Sequence, residues 1–324
     1  MKTKKPSASF DQALTALSSD RALPTRVLKA LNRLDDDQLS EFLSVYTSLD
    51  DNRRAYLIAK LRAMAEVDVQ LDYTGIFRSV LIDVDERVRR TAIDGLGEDE
   101  DTNLIDVLVV LLRSDPSTKV RAAAAKSLGR FMYLSAMDKL NTRRHDQVYS
   151  ALMGTLLNSP EDSPVRRAAL RSLAHVSNDE VELHIRDAYA SDDMPLRISA
   201  VYAMGRSSDH KYQQAVMNEL HSVAPAMRRE AARASGELEI REAVHDLGML
   251  VDDPDEHVRK AALAALGQIG GDEAKQILER ATHSDEPSLA RAAEDALAEY
   301  QFLYSNLKFS VGPFDELLGD TLTP

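Results

Sequence analysis

Apolar residues in this chain recur at helical spacing, and the pattern itself repeats. Between about Asp255 and Ile269, Val258, Ala262 and Leu266 fall at i, i+4 and i+8, one apolar stripe along a helix. The stretch Ile240–Leu250 predicts a preceding helix. The link VDDPDEH joins the two, with Asp253 suited to an N-cap and Pro254 to a first helical position. Gly267, Gly270 and Gly271 are expected to close the second helix. The same phrase, an acidic turn, an aliphatic anchor, usually Arg, and then small residues, starts at Val88, Val120, Val165, Leu196, Met227, Val258 and Leu289. From Val165 onward the anchors are spaced by 31 residues without slippage. A fixed period in this range predicts a solenoid of stacked two-helix units, each too small to bury its apolar face alone.

Four residues after each anchor stand Ala92, Ala124, Ala169, Ala200, Ala231, Ala262 and Ala293. An all-alanine column predicts close helix packing there. Two places break the period. Between Val120 and Val165 the spacing is 45, which puts 14 extra residues near 131–148; insertions in arrays become loops or lengthened helices on one face. Residues 23–71 are helical in pattern without clean copies of the phrase, as expected of an N-terminal cap. The expected organisation is a mostly disordered leader over 1–22, the cap over 23–71, the repeat array over 72–304 and a flexible tail over 305–324.

The aliphatic-Arg-x-x-Ala-x-x-x-Leu-Gly phrase and the Asp before it resemble the HEAT-repeat family. The short period and Ala-Leu-Gly ending look most like the bacterial HEAT-like repeats also found in phycobilisome lyases. The resemblance covers roughly 72–300 and implies an all-α fold, a right-handed α-solenoid (α-α superhelix) of HEAT-like two-helix repeats with period 31. It also implies a structural ladder between repeats, with Arg89, Arg121, Arg166, Arg197, Arg228 and Arg259 in its Arg column and Asp83, Asp115, Asp253 and Asp285 among its acidic turn residues. At the last unit the Arg is displaced to Arg291, which suits a C-terminal cap.

Composition narrows the chemistry. The chain has 324 residues, 40 Lys and Arg against 53 Asp and Glu, and no Cys or Trp. Without Cys there are no disulfides, thiolate metal sites or thiol nucleophiles, a usage that fits a reducing cytoplasm. The basic N-terminal residues precede no apolar run of signal-peptide type, and no stretch is apolar enough to span a membrane. A net charge of −13 disfavours nucleic acid as the main partner.

Charge placement along the second helices is less even than this total. Columns two, six and ten residues after each anchor share a helix face. They gather Lys126, Arg130, Arg167, Arg171, Arg206, Arg229, Arg233 and Lys260, with His175 and Tyr202 among them and Glu237 as an interruption. In the HEAT-like family second helices line the concave surface. Like charges concentrated there point to an acidic protein segment, with Arg171, Arg206 and Arg233 central and Tyr202 as an aromatic anchor. The competing interpretation is a solvated face whose arginines pair with neighbouring carboxylates.

Other signals are weaker. The runs Glu98–Asp101 and Asp35–Asp37 lack the ligand spacing of a calcium loop. Eight histidines form no His-Glu, HExxH or related pair, and phosphate-loop, GxSxG and GxGxxG motifs are absent. The expectation is therefore a non-catalytic scaffold or adaptor with no cofactor. A bilin lyase-like subunit, in which the arginines would meet propionates and His175 or Tyr202 the pigment, and a nucleic-acid-binding repeat protein are the alternatives. The tail FDELLGD, Phe314–Asp320, mixes apolar and acidic residues as docking peptides do.

Overall fold

The computed structural model describes residues 9–19, 22–158 and 160–305, and every regular element among them is helical. The chain divides into two compact units after Leu173, a boundary inside the expected array. None of the described helices is long and apolar enough to cross a membrane.

The first unit contains α1 (Phe10–Leu17), α2 (Thr25–Lys29), α3 (Asp36–Tyr46), α4 (Asp51–Val67) and α5 (Thr74–Ser79). It continues with α6 (Glu86–Gly95), α7 (Leu104–Ser114), α8 (Thr118–Ala136), α9 (Thr142–Leu157) and α10 (Ser163–Leu173). Within it α4, α6, α8 and α10 pack in succession, while α7 lies on α8 and α9 on α10. This is the two-layer packing of α-solenoid repeats, in which second helices form one layer and first helices the other. The second unit repeats the plan. It holds α11 (Asp179–Tyr189), α12 (Met194–Arg206), α13 (Gln213–Glu219), α14 (Pro225–Glu237), α15 (Val244–Leu250), α16 (Glu256–Ile269), α17 (Asp272–Ala281) and α18 (Pro287–Ser305). Here α12, α14, α16 and α18 stack in order, each backed by its own first helix.

Local chemistry starts the helices. Ser9 and Asp35 close capping boxes with Gln12 and Gln38, and Asp50, Asn141 and Asn178 accept from the first turns of α4, α9 and α11. All seven alanines of the expected column are fully buried.

Several expectations shift. The leader contains a helix: in α1, Ala13 and Leu17 are fully buried, so residues 10–17 fold as part of the first unit. Residues 1–8 and the tail beyond 305 lie outside the described residues. The insertion near 131–148 is helical. Residues 131–136 are the last turns of α8 and 142–148 the first turns of α9, with Phe131, Met132 and Leu134 buried. Asp255, rather than Asp253, caps α16, because its carboxylate reaches the amides of His257 and Val258. Gly267 lies inside α16, and the helix ends at Gly270 and Gly271, whose φ values of 71° and 93° suit glycine.

The interior position of Gly267 marks where second helices touch. Nine residues after their anchors stand Gly129, Gly205, Gly236 and Gly267. A Cβ on Gly205 would meet Ala234 Cα at 2.8 Å, one on Gly236 would meet Ala265 Cα at 2.9 Å, and one on Gly267 the Ala296 carbonyl oxygen at 2.6 Å. On Gly129 it would meet Ser172 Oγ at 2.7 Å. Each glycine thus faces the seventh position of the next repeat and sets the interhelical distance.

Candidate functional site

The turns preceding the second helices carry the most organised polar chemistry. Arg89 donates from Nη1 to the carbonyl oxygens of Asp83 and Val84 in its own turn. Its Nε and Nη2 reach the Asp115 carboxylate of the next turn at 2.7 and 2.8 Å. One guanidinium therefore closes its own turn and clamps the following one, the bidentate geometry for which Arg is suited. Arg228 does the same with Ser222, Val223 and Asp253. Arg121 joins its turn to Glu161 and Asp162, and Arg259 joins its turn to Glu286, which takes the place expected of Asp285. Arg197 pairs with Glu219, which also accepts from the Tyr189 hydroxyl. Burial, reinforced by that hydrogen bond, pushes the Tyr189 phenol up to about 12.

Arg166 departs from this pattern. It donates to the Leu156 carbonyl oxygen and forms no ion pair among the described residues. One further step escaped the sequence pattern: Arg54 of α4 approaches Asp83 at 3.4 Å, and the Tyr46 hydroxyl donates to the same carboxylate at 2.7 Å. The signal was the acidic turn Asp50–Asp51 followed by Arg53-Arg54, a displaced copy of the phrase.

The Arg228 hydrogen bond, ahead of the backbone bond from Asp255, holds the Asp253 carboxyl below the ordinary carboxylate range. A depressed folded-state value stabilises the fold above the unfolded pKa and loses that contribution as pH falls through the lowered value. Asp253→Asn is accordingly expected to cost about 1–3 kcal/mol at neutral pH. The gap from the parent protein should narrow below about pH 4 in urea unfolding. A pH-independent gap would contradict the ionic role.

The cationic columns lie on the second helices of both units, except that His175, expected on the same helix face, stands in the turn after α10. Lys126, Arg130, Arg167 and Arg171 belong to the first unit; His175, Tyr202, Arg206, Arg229, Arg233 and Lys260 belong to the second. Many of them meet carboxylates of their own unit. Arg130 pairs with Glu98 at 3.0 Å and Glu100 at 2.6 Å. Arg206 reaches Glu237 at 3.3 Å and lies over the Tyr202 ring, 5.7 Å from its centroid. Arg233 stands near Glu230 and the same Glu237, and Lys260 pairs with Glu256. Lys126, Arg167 and Arg229 form no ion pair among the described residues. Burial, and secondarily the charge of Arg206, lowers the His175 pKa and favours its neutral form.

The acidic runs have structural partners. Asp99 and Asp101 take the Arg78 guanidinium, Glu98 and Glu100 take Arg130, and Asp35 caps α3. No group of metal-ligating side chains is assembled among the described residues.

The HEAT-repeat profile matches residues 77–153 and 213–298, together half of the chain. The chain belongs to the HEAT-repeat family. No curated protein matches its sequence. Among solved structures, the HEAT protein is similar to an engineered protein, with 19% identity, covering 90% of this chain and 88% of that one, and a TM-score of 0.39. It is also similar to human deoxyhypusine hydroxylase in complex with glycerol, with 17% identity, 82% and 97% coverage and a TM-score of 0.37. For the complex of CpcE and CpcF of phycocyanin lyase from Nostoc sp., identity is 17%, coverage 64% and 81%, and the TM-score 0.44.

Proposed function

We propose that this HEAT protein is a non-catalytic scaffold or adaptor whose second-helix faces receive an acidic segment of a protein partner. The observation that carries the reading is the concentration of Lys and Arg on those faces in a chain of net charge −13. Such a face steers an anionic partner and gives its binding a salt dependence. Tyr202, under Arg206, supplies an aromatic surface beside the charge.

The internal pairs refine the reading. Arg206 and Arg233 share Glu237, so a partner's carboxylate must compete with an intramolecular one, and affinity there is a difference between two similar contacts. Lys126, Arg167 and Arg229 face no such competition among the described residues. The reading predicts that partner binding weakens as salt rises and in Arg171→Glu/Arg206→Glu/Arg233→Glu. A partner that keeps its affinity in that variant contradicts it.

A further inference from the structure

Within the first unit, α8 and α10 differ in one respect from α4, which carries Asp51 and Glu66, and from α6, which carries Glu86 and Asp94. Their sequences, TKVRAAAAKSLGRFMYLSA and SPVRRAALRSL, contain no Asp or Glu at all, in a chain with 53 acidic residues. In the second unit α12 has none either, but its Arg206 meets Glu237 of α14, and Glu230 on α14 and Glu256 on α16 pair with Arg233 and Lys260.

Geometry brings the cations of α8 and α10 together. The Ser172 hydroxyl donates to the Ala125 carbonyl oxygen at 2.9 Å, and Gly129 keeps the two helices in contact at the same level. Lys126 and Arg171, the sequence neighbours of that bonded pair, therefore sit on adjacent turns of adjacent helices. Arg130 lies one turn beyond Lys126, and Arg167 one turn before Arg171. Lys126 and Arg167 form no ion pair among the described residues, and Arg130 is held by Glu98 and Glu100.

The lengthened end of α8 continues this face. Residues 126, 130 and 133 are spaced i, i+4 and i+7, which keeps them on one side of α8, and Met137, its C-cap residue, follows at i+11. Tyr133 and Met137 are 42% and 47% exposed there. Cations thus give way toward the end of α8 to an aromatic ring and a thioether. Charges four residues apart on a helix are separated by about 6 Å. That is close to the roughly 6.6 Å between alternate side chains of an extended segment.

Resting on the acidic-partner reading, we infer that the α8–α10 face of the first unit is the protein's principal docking site. Its occupant is an extended acidic segment of a partner, with carboxylates at alternate positions and one bulky apolar residue at the end that meets Tyr133 and Met137. The cations supply attraction and register, and the apolar end supplies direction.

The test is fluorescence anisotropy with two labelled peptides carrying glutamates at alternate positions, one of them ending in phenylalanine. The parent protein should bind the phenylalanine peptide more tightly. Lys126→Glu/Arg167→Glu should weaken binding by about tenfold or more, and Tyr133→Ala should erase the preference for phenylalanine. Thermal unfolding confirms that each variant folds. Binding within about twofold of the parent in the charge-reversed variant overturns the inference. If the loss appears instead in Arg206→Glu/Arg233→Glu, the site is misplaced while the acidic-partner reading stands. If neither variant loses affinity, both fall. Displacement of the probe by a peptide copying Phe314–Asp320 would make the chain's own tail the occupant and overturn the assignment to an outside partner.

Discussion

Asp115→Ala is expected to destabilise the protein by about 3–5 kcal/mol, the scale for a buried charge pair losing one partner. The side chains of Arg89 and Asp115 are 9% and 2% exposed, so the guanidinium left behind cannot recover water. The Ser117 amide would also lose its acceptor. Replacing both partners by apolar residues of similar volume should hurt less, because no charge is then stranded. The exposed Arg87–Asp85 contact, with Arg87 54% exposed, provides a control: Arg87→Ala should change stability by less than about 1 kcal/mol. Urea unfolding of the three variants separates the cases. An Asp115→Ala cost as small as that of Arg87→Ala would remove the ladder from the list of forces holding the repeats together.

Gly267→Leu should cost about 3 kcal/mol, at or beyond the upper end of ordinary overpacking. Judged by helix propensity alone, the substitution improves α16 by roughly 1 kcal/mol, because glycine is a poor helix interior residue. Packing decides the sign. The Ala296 carbonyl oxygen lies 2.6 Å from where even a Cβ would go, and a helix backbone cannot move aside as a flexible side chain can. The surface glycine Gly154, where an added Cβ would meet nothing within 4 Å, is the matching site at which Ala should stabilise. Thermal unfolding that leaves Gly267→Leu as stable as the parent would mean that the helices do not meet there.

These two positions also show how far the sequence can be read. The register of the repeats is legible because it is written many times over, and the buried alanine column follows from it. Gly267 reads as a helix end, and is not one, for a physical reason: glycine serves both as a C-terminal cap and as a contact point, and the two uses differ only in φ and in what lies across the interface. Asp253 reads as an N-cap because its actual role, accepting Arg228 from 25 residues away, is a tertiary contact. The step through Arg54 and Tyr46 is hidden by the irregular spacing of the N-terminal helices.

The cationic columns show a different limit. Periodicity places Arg206 and Glu237 in one column, a single 31-residue period apart, so their pairing is in principle visible. What the pattern cannot rank is the attraction of Arg233 and Arg206 for that carboxylate against their availability to a partner, which depends on distances of 3.3–3.8 Å. Nor can it show that the insertion prolongs α8 and carries Tyr133 onto the face of Lys126, with Met137 following as the C-cap residue.

Affinity capture from the native lysate, read by mass spectrometry, tests the scaffold reading most directly when the tagged parent protein and Arg171→Glu/Arg206→Glu/Arg233→Glu are run side by side. The account predicts a protein partner with an acidic segment, retained by the parent, released by salt and lost from the variant. A partner recovered equally by both proteins, or pigment or nucleic acid in place of protein, would contradict it.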